Sequence, residues 1–369
     1  MVPNSQEVRR RYTKKAELTQ EVPMDSTEPK HTGSSAVPGR PKQVTLQDVA
    51  RAAGVNMTTA SDALKGTGRV SAKTREKVQR IAAEHNYIPN FAARALATGR
   101  THTVVLTGGS LQESYYVSIA HSLENEMTSD GYKLMLMRTS REVRESVIAT
   151  QSFAVDGIIA VDKYQLVDAY QGSKPSRPCV FIGTYSPESV DSVTVDLSVA
   201  VRQALTSMMD GGCKRIAYIV TSDIMAKSDE VRSGIYLATM QGAGRQSEII
   251  NLHANIEEVT ERFKAYVCTH GCPDALLCQN DDTAISVYRG LLDLGYRVPR
   301  DVLLVGCDGL RHMECFETPL STIAQPIQEV CSLAWQFLKN RIANPDIPPQ
   351  QAILQAQLVV RESLRPPLA

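Results

Sequence analysis

Apolar residues recur at helical spacing in three short segments that follow one another between residues 44 and 89. The apolar positions are Leu46, Val49 and Ala50 in the first segment, Ala60, Ala63 and Leu64 in the second, and Val78, Ile81 and Ala82 in the third. Residues spaced three and four apart lie on one face of a helix. The pattern therefore predicts three short helices that share a small core.

Polar residues and glycine mark the ends of these predicted helices. Thr45 is a suitable N-cap with Asp48 at the third helical position, Gly54 is a typical C-terminal residue, and Asn56 and Ser71 can cap the next two helices. A tight turn containing glycine between two such helices is typical of a helix-turn-helix motif.

The second predicted helix carries small and polar side chains on its outward positions. They are Met57, Thr58, Thr59, Ser61 and Asp62. Because the second helix of a helix-turn-helix motif enters the major groove of DNA, these side chains are candidates to contact base edges.

A break in the chain follows these three segments. Proline in the Tyr87–Asn90 stretch disfavours a continuous helix, and Asn90 can cap a further short helix over residues 91–97. That helix is shorter than the roughly 12–15 residues that an isolated helix needs, so it would be marginal by itself. We predict a hinge at residues 90–100.

Residues 101–369 alternate short apolar runs with segments of helical periodicity. The apolar runs predict strands at 102–108, 132–138, 156–162, 178–184, 192–196, 215–221, 247–252, 273–279, 301–308 and 357–360, with turn glycines at 131, 157, 211, 212, 271 and 295. This alternation predicts parallel sheets with crossover helices. The number of strands favours two lobes, with a binding cleft at the carboxyl ends of the strands.

Composition and charge separate the two parts of the chain. With 43% hydrophobic and 22% charged residues, the 369-residue chain is typical of a folded protein without a membrane span, and its N-terminus lacks a secretory signal, which predicts a cytosolic location. Residues 1–100 hold 17 Lys and Arg against 9 Asp and Glu, whereas residues 101–369 hold 23 against 31. A basic segment is typical of nucleic-acid binding, although solubility alone could also explain it.

Residues 1–43 lack any sustained apolar period and are predicted to form a disordered basic and polar arm. Residues 9–11 and 39–42 could contact phosphate or the minor groove, or they could belong to a solvated tail. The predicted organisation is an arm at 1–43, a DNA-binding headpiece at 44–89, the hinge at 90–100 and a two-lobed domain at 101–369.

Eight cysteines lie between residues 179 and 331 and are predicted to be thiols. The only close group is Cys268, His270 and Cys272. A metal would need further ligands there, so the sequence favours an ordinary loop and no metal site.

The segments VTLQDVARAAGV and RVSAKTREKVQRIAAEHNYIPNFAARALATGRT resemble the headpiece of the lactose-repressor (LacI) family. The resemblance implies a homodimer whose two recognition helices occupy successive major grooves. It also implies paired hinge helices that fold on DNA and insert a leucine, here Leu96, into a central minor-groove step. An apolar wedge of this kind partly unstacks the step, at a cost that the contacts of the bent DNA repay.

The same resemblance implies roles for individual headpiece residues. Thr45, Ser61, Ser71, Thr74 and Asn90 fall on positions that hold phosphates, and Gln47, Met57, Thr58 and Arg69 fall near base edges. Asp62 departs from the family, which very often has arginine there. A carboxylate cannot read guanine, but it could accept from cytosine N4, repel the backbone or face solvent. We therefore expect an unusual operator.

Residues after the hinge resemble the periplasmic-binding-protein-like effector domain of the same family, notably in VDGIIAVD, PDALLCQNDDTAISVYRGLLDLGYRVPRDVLLVGCDGL and PLSTIAQP. The resemblance places effector contacts at Asp196, Arg232, Asn280, Asp308 and Gln325. Tyr115 and Tyr116 are candidates to cover the apolar face of a sugar ring. Asn280 and Asp308 could instead only cap turns, and Cys307 stands where the family often has an aromatic residue.

These observations predict a transcription regulator, a repressor that responds to a sugar or related polyol, with no cofactor. An enzyme is disfavoured because common nucleotide-binding, hydrolase and metalloprotease motifs are missing. A free-standing solute-binding protein and a regulator without an effector remain alternatives. Since nothing after Arg361 resembles leucine heptads, the sequence predicts a dimer and not a tetramer.

Overall fold

The computed structural model describes residues 44–88, 99–137, 154–163, 177–185 and 189–365. They fall into two compact units, the first within residues 44–88 and the second from residue 99 onward. The predicted arm, the predicted hinge helix, Asn90 and Leu96 lie outside the described residues, so the predictions made for them are not tested by the structure.

The first unit consists of α1 (Leu46–Ala53), α2 (Met57–Lys65) and α3 (Ala72–Glu84). These are the three predicted helices. Their shared core contains the predicted apolar positions, with Val49, Ala50, Ala60, Ala63, Val78, Ile81 and Ala82 buried and Leu46 and Leu64 packed at the edge.

The predicted caps explain where these helices begin and end. The Thr45 hydroxyl accepts the Asp48 N–H at 3.3 Å, and the Asp48 carboxylate accepts the Thr45 N–H at 3.0 Å, which completes a capping box. Asn56 and Ser71 each accept the backbone N–H of the residue three positions on, at 2.7 and 3.2 Å. Gly54 ends α1 with a φ of 68°, a conformation that favours glycine.

The second unit has two lobes, each built on one sheet. The first lobe contains β1 (Thr103–Thr107), α4 (Ser114–Ser129), β2 (Lys133–Met137), β3 (Gly157–Val161), β4 (Cys179–Gly183), β5 (Asp191–Asp196), α10 (Ile327–Ala343) and β11 (Gln351–Gln355). The second contains α5 (Ser198–Asp210), β6 (Ile216–Val220), α6 (Asp223–Ala226), α7 (Val231–Gly242), β7 (Glu248–Asn251), α8 (Val259–His270), β8 (Ala275–Cys278), α9 (Asp281–Asp293), β9 (Leu303–Asp308), β10 (Ser321–Ala324) and β12 (Gln357–Val359). Short 3₁₀ turns lie at Arg311–Glu314 and Glu362–Leu364.

Among the described residues each sheet has six strands, in the orders β11-β5-β4-β3-β1-β2 and β12-β10-β9-β8-β6-β7. The described pairings are parallel except for β12, which runs antiparallel to β10. The chain passes between the lobes at 196–198, 324–327 and 355–357. Strands such as β3 are buried at every position because helices cover both faces of a parallel sheet, which explains their continuous apolar sequences.

The structure corrects two details of the sequence prediction. Strands β10 and β11 were missed. Furthermore, Gly157 does not lie in a turn but begins β3, where a Cβ atom would lie 2.7 Å from Cδ1 of Leu338 on α10. This glycine is therefore required by close packing of helix on sheet. The φ of 72° at Gly131 and of 82° at Gly212 agree with the predicted turns.

Candidate functional site

A cleft of about 300 Å³ lies between the two lobes of the second unit. Its walls are formed by Glu113, Tyr115, Tyr116, Asp162 and Thr184 of the first lobe, by Thr221, Ser222, Ile224, Met225, Arg232, Gln279, Asn280 and Asp308 of the second, and by Gln325 at a crossing between them. The wall is rich in paired donors and acceptors, which suits a ligand with several hydroxyl groups.

Strand ends account for much of the wall. Asp162, Thr184, Thr221 and Gln279 each follow directly after a strand, and Asp308 is the last residue of β9. Parallel sheets place ligands at the carboxyl ends of their strands. The positions of the strand ends therefore predict the location of the cleft, and the first four of these residues lie where that rule places a ligand.

Arg232 is held in place by two hydrogen bonds before any ligand binds. Its Nε donates to Oε1 of Glu230 at 3.0 Å, and its Nη1 donates to the carbonyl oxygen of Gln279 at 3.0 Å. Since the guanidinium group is planar, these bonds fix its orientation, and its further N–H groups can serve a ligand.

Asp308 and Gln325 lie together on the floor of the cleft. Gln325 Nε2 donates to Oδ1 of Asp308 at 2.9 Å, and the Tyr115 hydroxyl lies 3.5 Å from Oε1 of Gln325. Asp308 is 3% exposed, and burial, together with the charge of Asp281, raises its pKa well above the usual range. A ligand hydroxyl can therefore bond to a carboxyl group that is largely shielded from water.

The turn that carries Asp308 is held by the buried carboxylate of Asp281. Oδ2 of Asp281 accepts the N–H groups of Gly309 and Leu310 at 2.9 and 2.7 Å, and Oδ1 accepts the Thr322 hydroxyl at 2.6 Å. Asp308 itself has a φ of 133°, which is costly for a residue with a side chain. Asp281 therefore positions a residue of the cleft wall without belonging to that wall.

Asn280 caps a helix and also lines the cleft, and its contact with an effector stays a prediction. Its Oδ1 caps α9 by accepting the Thr283 N–H at 2.9 Å, and its Nδ2 donates to Oε2 of Glu113 across the cleft at 3.4 Å. Glu113 was not predicted, because nothing in the local sequence shows that it faces a residue far along the chain. Burial, with a contribution from the charge of Asp282, raises the pKa of Glu113.

Tyr115 and Tyr116 pack against one another in an edge-to-face arrangement with ring centroids 5.3 Å apart. The Tyr116 hydroxyl also donates to Oδ2 of Asp162 at 3.2 Å. The pair lies on the wall of the cleft, where the sequence placed it, and its sugar-covering role stays a prediction.

Asp196 is the one predicted effector residue that the described structure does not bring to the cleft wall. It ends β5, and its Oδ1 accepts the Ser198 N–H at 2.8 Å where the chain crosses to the second lobe. The carboxylate thus stabilises a crossing segment.

In the first unit, Gln47, Met57, Thr58 and Arg69 are exposed, with Met57 55% exposed, whereas Ser61, Asp62 and Thr74 are half-buried. Three of the hydroxyls predicted to contact phosphate already make local bonds. Thr45 Oγ1 donates to Asp48 at 2.7 Å, and the Ser71 and Thr74 hydroxyls lie 2.8 Å apart. A phosphate contact at Thr45 would have to replace its bond to Asp48.

The side chain of Asp62 is half-buried, and its carboxylate lies against Gly68 in the turn after α2. A Cβ atom on Gly68 would lie 2.5 Å from Oδ2 of Asp62. Gly68 has a φ of 70°, and its missing side chain leaves room for the carboxylate. Asp62 therefore shapes the turn that precedes Arg69.

The described residues include no group of three His, Cys, Asp or Glu side chains arranged to hold a metal ion. All eight cysteines are free thiols. A search of the described helices found none long and apolar enough to cross a membrane.

A helix-turn-helix unit followed by two lobes around a polar cleft defines a class of ligand-binding DNA regulators. Comparisons with known proteins agree: the model for bacterial regulatory proteins of the lacI family matches residues 45–90, and the periplasmic binding protein-like domain matches residues 205–364. The chain belongs to the LacI family and is a DNA-binding transcription regulator, which excludes the enzyme alternative.

The similarity to individual relatives extends over nearly the whole length of each relative. The ribose operon repressor of Haemophilus influenzae is 26% identical over 87% of this chain and 98% of the relative. A lac repressor dimer bound to operator and an anti-inducer has a TM-score of 0.74 at 23% identity, with 88% and 99% of the two chains covered. A complex of the regulator CelR with cellobiose has a TM-score of 0.61 at 26% identity and covers 88% and 100%.

Proposed function

We propose that this protein is a repressor that binds a palindromic operator as a homodimer and that a sugar or related polyol, bound in the cleft, controls its affinity for the operator. The main support for this proposal is the cleft between the lobes. Arg232, Asn280 and Asp308 of the second lobe face Glu113 and Tyr115 of the first across about 300 Å³. A polyol that bonds to both walls would favour one arrangement of the lobes over others.

The relatives support the ligand class and the assembly. One similar protein is named for a ribose operon, another was solved with cellobiose, and a third is a dimer on its operator. By the family resemblance, residues 90–100 form the hinge that responds to the lobes, and Leu96 enters the minor groove. Coupling of this kind is typically worth about 1–3 kcal/mol, or roughly five- to 150-fold in affinity.

The first experiment is selection of bound sequences from a random DNA duplex pool with the full-length protein. We expect an enriched inverted repeat with a flexible central step, because two recognition helices related by a two-fold axis read matching half-sites. Recovery of a single unrepeated half-site would contradict the dimer on a palindrome.

The selected operator then serves as the probe for the effector. Its dissociation constant is measured with and without ribose, cellobiose and a panel of other neutral sugars, using the native protein and the Arg232→Ala variant. At least one sugar is expected to change the native affinity by fivefold or more, and the variant is expected to lose that response. If every sugar leaves the operator affinity unchanged while DNA binding is specific, the protein is a regulator without a sugar effector.

A further inference from the structure

The N-terminal ends of two helices, one from each lobe, face one another beside the cleft. α4 of the first lobe begins at Ser114, and α9 of the second begins at Asp281. Each such end carries unpaired N–H groups and a partial positive charge. Two helix ends that approach in this way repel one another unless an acceptor lies between them.

Asp282 supplies that acceptor from the opposite lobe. Its Oδ2 accepts the Ser114 backbone N–H at 2.7 Å, and its Oδ1 accepts the Ser114 hydroxyl at 2.8 Å. Both bonds join residues 168 positions apart in the sequence. Because Asp282 also lies in the first turn of α9, its negative charge is favourable to both helix ends.

α4 does not cap itself. Glu113 occupies its N-cap position and, within the described chain, makes no capping hydrogen bond with its side chain. Its carboxylate is instead 3.4 Å from Nδ2 of Asn280 on the facing wall. Asp282 therefore supplies an acceptor for the first N–H of the helix, which is one of the four N–H groups that a helix leaves without an internal partner.

Three residues around the start of α4 line the cleft: Glu113, Tyr115 and Tyr116. Neither Ser114 nor Asp282 is among the described residues of the cleft wall. Asp282 can thus control the placement of that wall without touching a ligand.

We propose that Asp282 is a positioning residue that caps α4 across the cleft and so holds the lobes together and keeps Glu113, Tyr115 and Tyr116 in place for the effector. The cap joins the two lobes, so its free energy contributes to the arrangement of the lobes in this structure. It acts in the ligand-free protein and adds to the affinity for any ligand that both walls contact.

Amide hydrogen exchange of the full-length protein without ligand tests this proposal. In the Asp282→Ala variant, we expect amides at 113–118 to exchange about five- to tenfold faster, since loss of an N-cap costs roughly 1 kcal/mol. Asp282→Asn should give a smaller increase, because its amide oxygen still accepts one of the two Ser114 bonds. Ser114→Ala should add nothing further in the Asp282→Ala background.

Asp301→Ala provides the matched control. Asp301 also accepts a backbone N–H, that of Arg297 at 2.9 Å, but it does so within a single lobe. This variant should leave exchange at 113–118 unchanged. If Asp282→Ala accelerates exchange only within 281–286, Asp282 stabilises only its own helix and the proposal is wrong. Unchanged exchange at 113–118 contradicts the proposal in every case. Because no ligand is present, this outcome is separate from whether the cleft binds a sugar.

Discussion

Gln325 donates a hydrogen bond of 2.9 Å to Asp308 from the end of a neighbouring parallel strand. The register that pairs Ala324 with Asp308 places the amide beside the carboxylate. Two residues predicted separately as effector contacts therefore form one preassembled unit, in which one carboxylate oxygen is engaged by the protein and the other is available to a ligand.

This arrangement predicts a strong dependence of the effector response on Asp308. Asp308→Asn should weaken sugar binding by about tenfold to a hundredfold, because it changes the hydrogen bonds that a buried carboxyl group offers to the ligand. The measurement is the sugar-dependent change in operator affinity. Asp196→Asn is the comparison, since it also removes a carboxylate but outside the described cleft wall; an equal loss in both variants would contradict the assignment of the site.

The contact between Asp62 and Gly68 predicts how the recognition helix responds to substitution. Asp62→Asn should select the same operator as the native protein, because the amide fits the same space against the turn. In Asp62→Arg the longer side chain does not fit that space and should project outward. The variant should therefore select a different sequence and bind DNA in general more tightly. A changed selection by Asp62→Asn would show instead that the carboxylate reads a base.

Leu96 lies outside the described residues, and its role rests on the family resemblance. Leu96→Ala should reduce affinity for the selected operator much more than for random DNA, because a wedge contributes only where the DNA bends. Titrations of both duplexes at one salt concentration measure the ratio. If affinity falls equally for the two duplexes, Leu96 does not act as a wedge.

Gly157→Ala should destabilise the second unit by about 1–3 kcal/mol, since its Cβ would lie 2.7 Å from the fully buried Leu338 side chain. Urea unfolding measures the difference. Gly242→Ala is the control: it lies in α7 with open space around its Cβ, and it should be neutral or stabilise by up to about 1 kcal/mol. If Gly157→Ala leaves the free energy of unfolding unchanged, α10 shifts easily on the sheet.

The raised pKa of Asp281 makes the stability of the folded protein depend on pH. Burial raises its pKa from 3.8 to about 6, so between those values the folded state binds more protons than the unfolded state. The contribution of Asp281 to stability should therefore fall as the pH rises from about 4 to 6, by something on the order of 1–3 kcal/mol. Asp281→Asn should flatten this decline in urea unfolding measured across that range.

The decline should not vanish in that variant, because the pKa of Asp308 is also raised and contributes in the same direction. Asp301→Asn should leave the decline as it is, since hydrogen bonds from Arg297 lower the pKa of Asp301 instead. If the native protein and the Asp281→Asn variant show the same change in stability between pH 4 and 6, the raised pKa of Asp281 is contradicted.

Features decided by nearby residues could be predicted from the sequence. Thr45, Asn56 and Ser71 cap helices through bonds to residues three positions away, so the local pattern is sufficient. β11 was missed because its alternate exposure is that of an edge strand with a weak apolar signal. The orientation of Asp62 depends on how the turn at Gly68 folds back, which the helical pattern does not contain.

The cleft, too, could be predicted only in part from the sequence. Strand ends predicted its location, and the family resemblance supplied Arg232, Asn280, Asp308 and Gln325. Glu113 and the bond between Ser114 and Asp282 could not be predicted, because they depend on the juxtaposition of two lobes whose residues are far apart in the chain.

β11 and β12 are separated by the single residue Ala356, yet they belong to different sheets. The described strands of the first sheet are complete only at residue 355 and those of the second at residue 359, whereas the helices of the first unit end at Glu84. At about 5–20 residues per second, the ribosome needs on the order of 15–50 seconds to cover that distance. Each newly made chain should therefore carry a finished DNA-binding unit for many seconds before its sensor can form, and response to a ligand would be the last property that the protein acquires during synthesis.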